Sequence, residues 1–145
     1  MTKEYVLLAQ TDTTVGFLSQ NSLLLSKIKA RDPQKPFLKI YPDMNTFKKH
    51  GRIPNTFKRR VRRSNATSYV VKEKAFRVIH DPIHRCIVKP YGWLYSTSAN
   101  LSGHHFDREF AEHNADIVIE DRYGLHECPP SAIIRLGLKK IEKLR

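Results

Sequence analysis

The stretch Ser96-Thr97-Ser98-Ala99-Asn100-Leu101-Ser102-Gly103 is the most informative part of this sequence. It follows Tyr91-Gly92-Trp93-Leu94-Tyr95, an aromatic and apolar run that predicts a buried strand. Hydroxyl and amide groups both donate and accept hydrogen bonds, so a strand that ends in such side chains can hold a polar ligand. Composition alone leaves an ordinary Ser/Asn/Gly loop as the alternative.

The net charge of +12 separates this chain from an ordinary soluble domain of its size. Its 145 residues contain 26 Lys and Arg against 14 Asp and Glu, whereas the 40% hydrophobic content is typical of globular proteins. The length predicts one domain over residues 1–145. The charge favours a polyanionic partner, RNA or nucleotide phosphates, over the alternative that a basic surface only keeps the protein soluble.

The cysteines and the first apolar run together predict a cytoplasmic protein. Cys86 and Cys128 are far apart and suggest no disulfide framework, which fits a reducing compartment. The apolar run Tyr5–Ala9 is too short for a signal peptide or a membrane span. We therefore expect no membrane partner.

Short apolar runs and capping residues predict an alternation of strands and helices, and thus an α/β fold. The predicted strands are Tyr5–Ala9, Phe37–Tyr41, Ala75–Ile79, Tyr91–Tyr95, Asp116–Ile119 and an edge strand within Leu138–Leu144. The predicted helices are Asn21–Ala30, one capped by Asp43 through Lys49, Asn55–Val61, one capped by Asp81 through Val88, and one capped by Asp107.

Three cations surround the end of the first predicted helix. Lys29 and Arg31 end the helical pattern, and Lys35 follows between Pro33 and Pro36. Because prolines end a helix, an unwinding turn could bring the three cations together as a phosphate site. A solvated basic turn is the alternative.

A second basic feature lies within and after the predicted helix Asn55–Val61. Five cations occur there within six residues: Lys58, Arg59, Arg60, Arg62 and Arg63. A solvated helix face is one interpretation, and contact with the phosphate backbone of RNA is the other.

The histidines provide weak evidence for a metal. His80, His84 and Cys86 are the best spaced, but His80 precedes the helix cap and no second pair at ligand spacing accompanies them. We therefore expect no metal ligands from protein side chains and no hydrolase triad.

Several segments of the chain, in order, resemble the YrdC-like family, whose characterised enzymes are threonylcarbamoyl-AMP synthases. The run Ser96–Gly103 is similar to the central motif of that family. Gln10–Phe17 resembles Pro-Thr-Asp-Thr-Val-Tyr-Gly-Leu, with Gln10 and Val15 as departures. Further resemblances are Lys29-Ala30-Arg31 with Lys35-Pro36 to Lys-x-Arg-Pro, Ala75–Ile79 to the Val-Arg-Val strand, and Pro130–Ile134 to Pro-Ser-Thr-Ile-Val.

The chain departs most from the family between Arg63 and Val71. This segment stands in place of Trp-Pro-Gly-Pro-Val-Thr, and only a hydroxyl at Ser68 or Thr67 remains. The chain also begins at the first strand, without the helix that usually precedes it in the family.

The resemblance implies a single YrdC-like α/β domain, with a twisted, mixed parallel and antiparallel sheet, flanking helices and a basic concave groove. It implies an enzyme that makes L-threonylcarbamoyladenylate from L-threonine, bicarbonate and ATP for the t6A37 modification of tRNA. ATP and Mg²⁺ enter as the substrate complex, and no tightly bound cofactor is expected.

The resemblance also assigns roles to residues of this chain. The catalytic set is Lys29, Arg31, Ser98 and Asn100. The threonine-binding set is Thr11, Thr13, Arg77 and Ser131. The ATP-binding set is Lys29, Arg31, Lys35, Ser68, Ser96, Ser98 and Asn100.

Two alternatives from other classes stay open. One is a non-catalytic YrdC-like protein that binds tRNA or double-stranded RNA through Lys58–Arg63, which predicts salt-sensitive RNA affinity without threonine-dependent use of ATP. The other is an interaction subunit among the t6A-pathway proteins, which predicts a stable partner and neither activity. The enzyme ranks first because the set Lys29, Arg31, Ser98 and Asn100 is complete.

Overall fold

A computed structural model describes residues 4–145 of the chain. The strands are β1 (Leu7–Gln10), β2 (Val15–Ser19), β3 (Leu38–Tyr41), β4 (Thr67–Val71), β5 (Lys74–Val78), β6 (Leu94–Ser98), β7 (Ile117–Ile119), β8 (Ala132–Leu136) and β9 (Ile141–Lys143). The α-helices are α1 (Ser22–Lys29), α2 (Met44–Lys48), α3 (Lys58–Arg63), α4 (Pro82–Val88) and α5 (Arg108–Asn114). Short 3-10 turns cover Asn55–Phe57 and Lys89–Tyr91.

The described residues divide into two compact units. Unit 1 comprises the residues up to Phe37 together with Leu94–Pro130, and unit 2 comprises Leu38–Trp93 with Ser131–Arg145. Each unit combines helices with parallel and antiparallel strands, so the α/β class and the mixed pairing predicted from the sequence are confirmed. One domain over 1–145 and a basic concave groove stay predictions.

The sheet strands of unit 1 lie in the order β7-β1-β2-β6. β2 is antiparallel to both β1 and β6, whereas β7 is parallel to β1. Leu8 and Phe17 on the strands pack in one cluster with Leu25 of α1 and Ala111 of α5. All four side chains are fully buried, so the apolar faces of both helices are held by the sheet.

The strands of unit 2 lie in the order β3-β5-β4-β8-β9. β3 and β5 are parallel, as are β4 and β8, while β4/β5 and β8/β9 are antiparallel. Aromatic rings fill the core, where Phe47 of α2 stacks on Phe76 with ring centroids 4.3 Å apart. Tyr69 and Val61 belong to the same buried cluster, so α2 and α3 are both anchored on these strands.

Local sequence signals located most helix starts correctly. The exception is the predicted helix Asn55–Val61, where a 3-10 turn comes first and α3 begins only at Lys58, without a side-chain cap. The side chain of Asp81 accepts hydrogen bonds from the N–H groups of Ile83 and His84, and Pro82 opens α4. Asp43 and Asp107 cap α2 and α5 in the same way. Side-chain caps satisfy N–H groups that a helix leaves without partners at its start, which explains why these signals are strong. Within residues 4–145, no helix combines the length and the apolar character needed to cross a membrane.

The predicted strand Tyr91–Tyr95 is wrong by three residues. Tyr91 ends a 3-10 turn and Gly92 has φ of 80°, a left-handed conformation that glycine adopts without strain. The strand β6 therefore begins at Leu94 and extends to Ser98. Ser96, Thr97 and Ser98 are strand residues, and the polar loop begins only after them.

The segment Gln10–Phe17 is also not one loop. Residues Val15–Ser19 form β2, which pairs with β1 as a hairpin, so the connection is only Thr11–Thr14. Gly16 makes this close pairing possible, because an added Cβ would lie 3.0 Å from both Thr11 Cγ2 and the Thr97 carbonyl oxygen. The sequence analysis likewise missed β4, which contains Ser68.

Candidate functional site

The ammonium group of Lys29 lies at the centre of a polar cluster in unit 1. Its Nζ donates to the carbonyl oxygens of Ser98 (2.9 Å) and Asn100 (2.5 Å). Asn100 Oδ1 at 3.0 Å and Ser98 Oγ at 3.3 Å complete its surroundings. Lys29 is only 5% exposed. We call Lys29, Ser98, Asn100 and Ser102 the Lys29 cluster.

The Lys29 cluster ties helix α1 to the polar run that follows β6. Ser102 Oγ donates to the Lys29 carbonyl oxygen at 3.0 Å, and Asn100 Nδ2 donates to the His104 carbonyl oxygen. The Ala99 N–H donates to the Val15 carbonyl oxygen at 2.9 Å. The polar atoms of these residues therefore fix the backbone of the run in one conformation.

Burial and, to a smaller extent, the nearby charge of Arg31 together lower the pKa of Lys29 to about 8. The charged form loses hydration when it is buried, which shifts the equilibrium towards the neutral amine. At neutral pH the group is still mainly a cation that donates to its oxygen partners. A lysine with such a pKa is sensitive to small changes in nearby charge.

Arg31 and Lys35 have different surroundings from Lys29. The Arg31 guanidinium donates to the Pro36 carbonyl oxygen at 3.0 Å and lies 4.3 Å from the centre of the Phe37 ring. Its Nε is buried without a hydrogen-bond partner among the described residues. Lys35 lies on an exposed turn that its N–H closes with the Asp32 carbonyl oxygen.

The end of α1 has a different cause from the one that the sequence suggested. Ala30 has φ of 49°, in the left-handed region, and its N–H donates to the Lys27 carbonyl oxygen. The Arg31 N–H then donates to the Ser26 carbonyl oxygen at 3.1 Å. Such a left-handed residue stops a helix, so α1 ends before Pro33 is reached.

Thr11 and Thr13 use their hydroxyls within the β1–β2 connection. Thr11 Oγ1 donates to the Thr14 carbonyl oxygen at 2.5 Å and lies 3.2 Å from Thr13 Oγ1. Ser96 is a buried residue of β6. A segment that the sequence analysis overlooked covers this hairpin, because the Cys128 N–H donates to Thr14 Oγ1 at 3.0 Å.

Unit 2 contains a second cluster, built around Arg77. Arg77 NH1 donates to Ser68 Oγ at 3.1 Å, and Ser68 Oγ lies 2.8 Å from Ser131 Oγ. All three residues are at most 5% exposed. Antiparallel pairing of β4 with β5 and parallel pairing of β4 with β8 bring these distant residues together.

Arg145 completes this second group, which we call the Arg77 cluster: Ser68, Arg77, Ser131 and Arg145. The Arg145 Nε donates to the Ser131 carbonyl oxygen at 2.9 Å, and its NH2 donates to Ser131 Oγ at 3.3 Å. Burial of its guanidinium and then the charge of Arg77 lower the pKa of Arg145. An arginine stays protonated in proteins, so the cluster brings two cations to neutral hydroxyls.

Sequence reasoning predicted Ser68, Arg77 and Ser131 but missed Arg145. No motif includes Arg145, and it reaches Ser131 only through the pairing of neighbouring strands. Ser102 was part of the motif but had no assigned role.

The five cations of the second basic feature lie on α3 and are exposed. As for metals, residues 4–145 contain no group of three or more His, Cys, Asp or Glu that could hold an ion. The absence of a protein-bound metal or a tightly bound cofactor stays a prediction.

Comparison with known proteins identifies the fold. No known family profile matches the chain, and neither does any curated protein sequence. Among solved structures, a double-alanine variant of Sua5 from P. abyssi has a TM-score of 0.78 with 16% identity. The match covers 97% of this chain and 52% of that one, so this chain spans about half of the Sua5 length.

Other solved structures give the same result. MTH1692 from Methanobacterium thermoautotrophicum has a TM-score of 0.71 with 21% identity, over 97% of this chain and 79% of that chain. P. abyssi Sua5 in complex with L-threonine has a TM-score of 0.76 with 16% identity, over 97% of this chain and 50% of that chain. The chain therefore has the YrdC-like fold that its motifs predicted.

Proposed function

We propose that the chain is a threonylcarbamoyl-AMP synthase whose Arg77 cluster binds the carboxylate of L-threonine. The observation that carries this proposal is the meeting of two guanidiniums on two neutral hydroxyls, Ser68 and Ser131. An arginine fork and hydroxyl donors match the geometry of a carboxylate. A bound anion would also offset the repulsion between two neighbouring cations.

The known complex of P. abyssi Sua5 with L-threonine supports this choice of ligand. We extend it to this chain because Arg77 and Ser131 lie in the segments that resemble the family's threonine-contacting motifs. Thr11 and Thr13 are proposed as further threonine contacts.

The reaction needs little covalent help from the protein. The threonine amine attacks the carbon of bicarbonate and water leaves, which gives a carbamate. A carbamate oxygen then attacks the α-phosphorus of ATP in line, and pyrophosphate leaves. Positioning and charge neutralisation dominate such a phosphoryl transfer.

In unit 1 the proposed residues supply charge and a fixed backbone. Arg31, whose Nε is buried without a partner among residues 4–145, is proposed to contact ATP phosphates, with Lys35 from the exposed turn. Lys29, Ser98 and Asn100 are proposed to bind the nucleotide and the carbamate, with Ser96 beside them. The Lys29 contacts keep this run rigid before a ligand arrives.

The test is a product analysis by mass spectrometry. The protein is incubated with ATP, Mg²⁺, bicarbonate and isotope-labelled L-threonine, and the expected product is a labelled adenylate together with pyrophosphate. An Arg77→Gln variant is expected to lose the product, and Arg135→Gln, at an exposed position of β8, is the matched control. A folded wild-type protein that yields no adenylate would refute the proposal.

A competition experiment avoids the risk that an Arg77 variant fails to fold. L-threoninol carries a hydroxymethyl group where L-threonine has its carboxylate, so it cannot engage the guanidiniums as an anion. We expect threonine to bind at least about tenfold more tightly than threoninol in calorimetry. Equal affinities would show that the Arg77 cluster does not bind the carboxylate.

A second candidate is an RNA-binding protein that makes no adenylate. The exposed cations of α3 favour it. It predicts RNA affinity that falls with salt, and no consumption of ATP that depends on threonine.

A further inference from the structure

The positive charge of the chain is concentrated in one stretch of unit 2. Residues 44–72 contain nine Lys and Arg and neither Asp nor Glu, so they account for nine of the twelve net positive charges. Most of these side chains are exposed: Lys48, Lys49, Arg52, Lys58, Arg59, Arg60, Arg62 and Arg63. A surface with one sign of charge attracts polyanions and raises their local concentration.

The helix α3 carries this charge at a cost. Side chains three or four positions apart are neighbours on a helix, so Arg59 lies beside both Arg62 and Arg63, and like charges destabilise the helix. Its first residue is Lys58, whereas the start of a helix favours an anion. Buried Val61 anchors the helix to the core. A polyanion bound along α3 would remove the repulsion without changing this packing.

A cavity of 520 Å³ lies beside these exposed cations, and all the residues that line it belong to unit 2. Its apolar lining includes Met44, Phe47 and Ile53, and the cations Lys48 and Lys58 line it as well. The Phe47 ring is fixed by its stack on Phe76. The volume falls within the range of small-ligand sites.

The exposed cations and the cavity together indicate which class of polyanion binds here. A simple polyanion needs only the cations, whereas a nucleic acid strand also carries flat apolar bases. Arg59, Arg60, Arg62 and Arg63 offer planar forks that match phosphates and stack on bases. A duplex keeps its bases paired and stacked, so only an unpaired base can enter a cavity.

We propose that the surface formed by residues 48–63 and the adjacent cavity binds single-stranded RNA. Phosphates lie along the cations of α3, and one unpaired base enters the cavity near Phe47. This surface is separate from the Arg77 cluster in its residues, and RNA binding there does not depend on the synthase activity.

The test is fluorescence anisotropy with a labelled single-stranded RNA of about 12 nucleotides. A duplex of the same sequence and an abasic strand of the same length serve as comparison ligands. We expect the single strand to bind at least about tenfold more tightly than either, and every affinity to fall with salt. Equal binding of the abasic strand or the duplex would overturn the proposal, as would no binding of the single strand.

Charge variants show where the RNA lies. We expect Arg59→Gln with Arg62→Gln to weaken binding about tenfold and to reduce the salt slope by about 1.4, because each lost phosphate contact on a single strand removes about 0.7. Lys27→Gln with Arg122→Gln removes the same charge from exposed positions of unit 1. An equal loss of binding in this control would mean that net charge alone attracts RNA, and would overturn the proposed surface.

One further variant tests the cavity. Leu138 lines the cavity and is 83% exposed, so Leu138→Ser removes apolar contact without disturbing the core. We expect it to weaken binding of the base-containing strand and to leave binding of the abasic strand unchanged. Equal effects on the binding of both strands would exclude a base in the cavity. Threonine-dependent adenylate formation, measured on the same variants, should not change, so a failure of either proposal can be told from a failure of the other.

Discussion

Lys29 and Arg77 are both buried cations, yet their hydrogen bonds go to different kinds of partner. The Lys29 ammonium donates to two backbone carbonyl oxygens, so it holds the backbone of its own unit. Arg77 donates to the Ser68 hydroxyl, which meets Ser131 and through it a second guanidinium, Arg145. The ammonium N–H groups of Lys29 have oxygen acceptors, whereas two guanidiniums that donate to neighbouring neutral hydroxyls favour an added anion.

This difference separates two roles that sequence motifs do not distinguish. Lys29, Arg77 and Ser131 all lie in segments that resemble one family, and the resemblance assigns all three to ligand binding. The geometry indicates that the Lys29 cluster contributes mainly to the stability of unit 1. By the same argument, we propose that the Arg77 cluster contributes mainly to the affinity for an anion.

The largest expected effect is the loss of stability when Lys29 is replaced. Lys29→Met removes the donor to the Asn100 carbonyl oxygen and one of two donors to the Ser98 carbonyl oxygen, which keeps the Asn100 N–H. We expect the free energy of unfolding to fall by about 3 kcal/mol. Urea-induced unfolding measures it. Lys27→Met, on the exposed face of the same helix, is the control and should change the value by less than about 0.5 kcal/mol. Equal effects of the two variants would show that Lys29 does not hold the backbone.

Replacement of Arg145 should reduce the affinity for threonine and leave the stability almost unchanged. Arg145→Gln removes one guanidinium from Ser131, and we expect the affinity for L-threonine to fall about tenfold, or about 1.4 kcal/mol. The free energy of unfolding should change by less than about 0.5 kcal/mol, because the residue is exposed as a whole. Calorimetry and urea unfolding check the two values. A similar loss of affinity in Arg135→Gln would mean that Arg145 acts only through the general charge.

The pH dependence of stability tests the burial of Lys29. Its pKa is about 8 in the folded chain and 10.5 ordinarily, so the unfolded chain binds more protons between these values. Stability from this group therefore rises as the pH increases from 8 to 10.5, and is lost as the pH falls through 8. Unfolding curves in this window should show a larger rise in the wild type than in Lys29→Met. The variant keeps the part that comes from Lys39, whose pKa burial also lowers. A rise of the same size in the variant would contradict this assignment.

The smallest effects concern two alanines with positive φ, one near each cluster. Ala30 follows Lys29 with φ of 49°, and Ala66 precedes Ser68 by two residues with φ of 48°. Glycine relieves the left-handed strain but adds freedom to the unfolded chain. We expect Ala30→Gly and Ala66→Gly each to stabilise the protein by about 0.5 kcal/mol, measured from urea midpoints. Destabilisation by either would show that the backbone there is not strained.

Most helix starts and the fold class could be predicted from the sequence because their signals are local, whereas α3 begins at Lys58 without a side-chain cap and its start was predicted three residues too early. Asp81 with Pro82, and Asp43 and Asp107, each cap a helix through contacts two or three residues away. The strand errors have a different origin. β2 was missed because the polar motif Gln10–Phe17 includes its first residues. β6 was predicted three residues too early because the turn at Gly92 lies inside an apolar run.

The candidate residues could be named from the sequence, but their contacts could not. Ser68 and Ser131 are 63 positions apart and meet only because β4 lies between β5 and β8. Arg145 is brought to them by the β8–β9 pairing, which no local pattern reveals. Lys29 contacts Ser98, which is 69 positions away in the sequence. The helix before Arg31 ends at Ala30 in a left-handed conformation, and an alanine gives no sequence signal for such an end.

The backbone around Arg145 links ligand occupancy to local opening of the protein. The Arg145 N–H and carbonyl oxygen both pair with Ile133, at 3.2 and 3.1 Å, beside the exposed strand β9. Exposed edge pairs open more readily than core strands and exchange their amide protons with water. An anion held by the Arg145 side chain would keep this pair closed, so slower deuterium uptake at Ile133 and Arg145 would report binding without any chemical turnover.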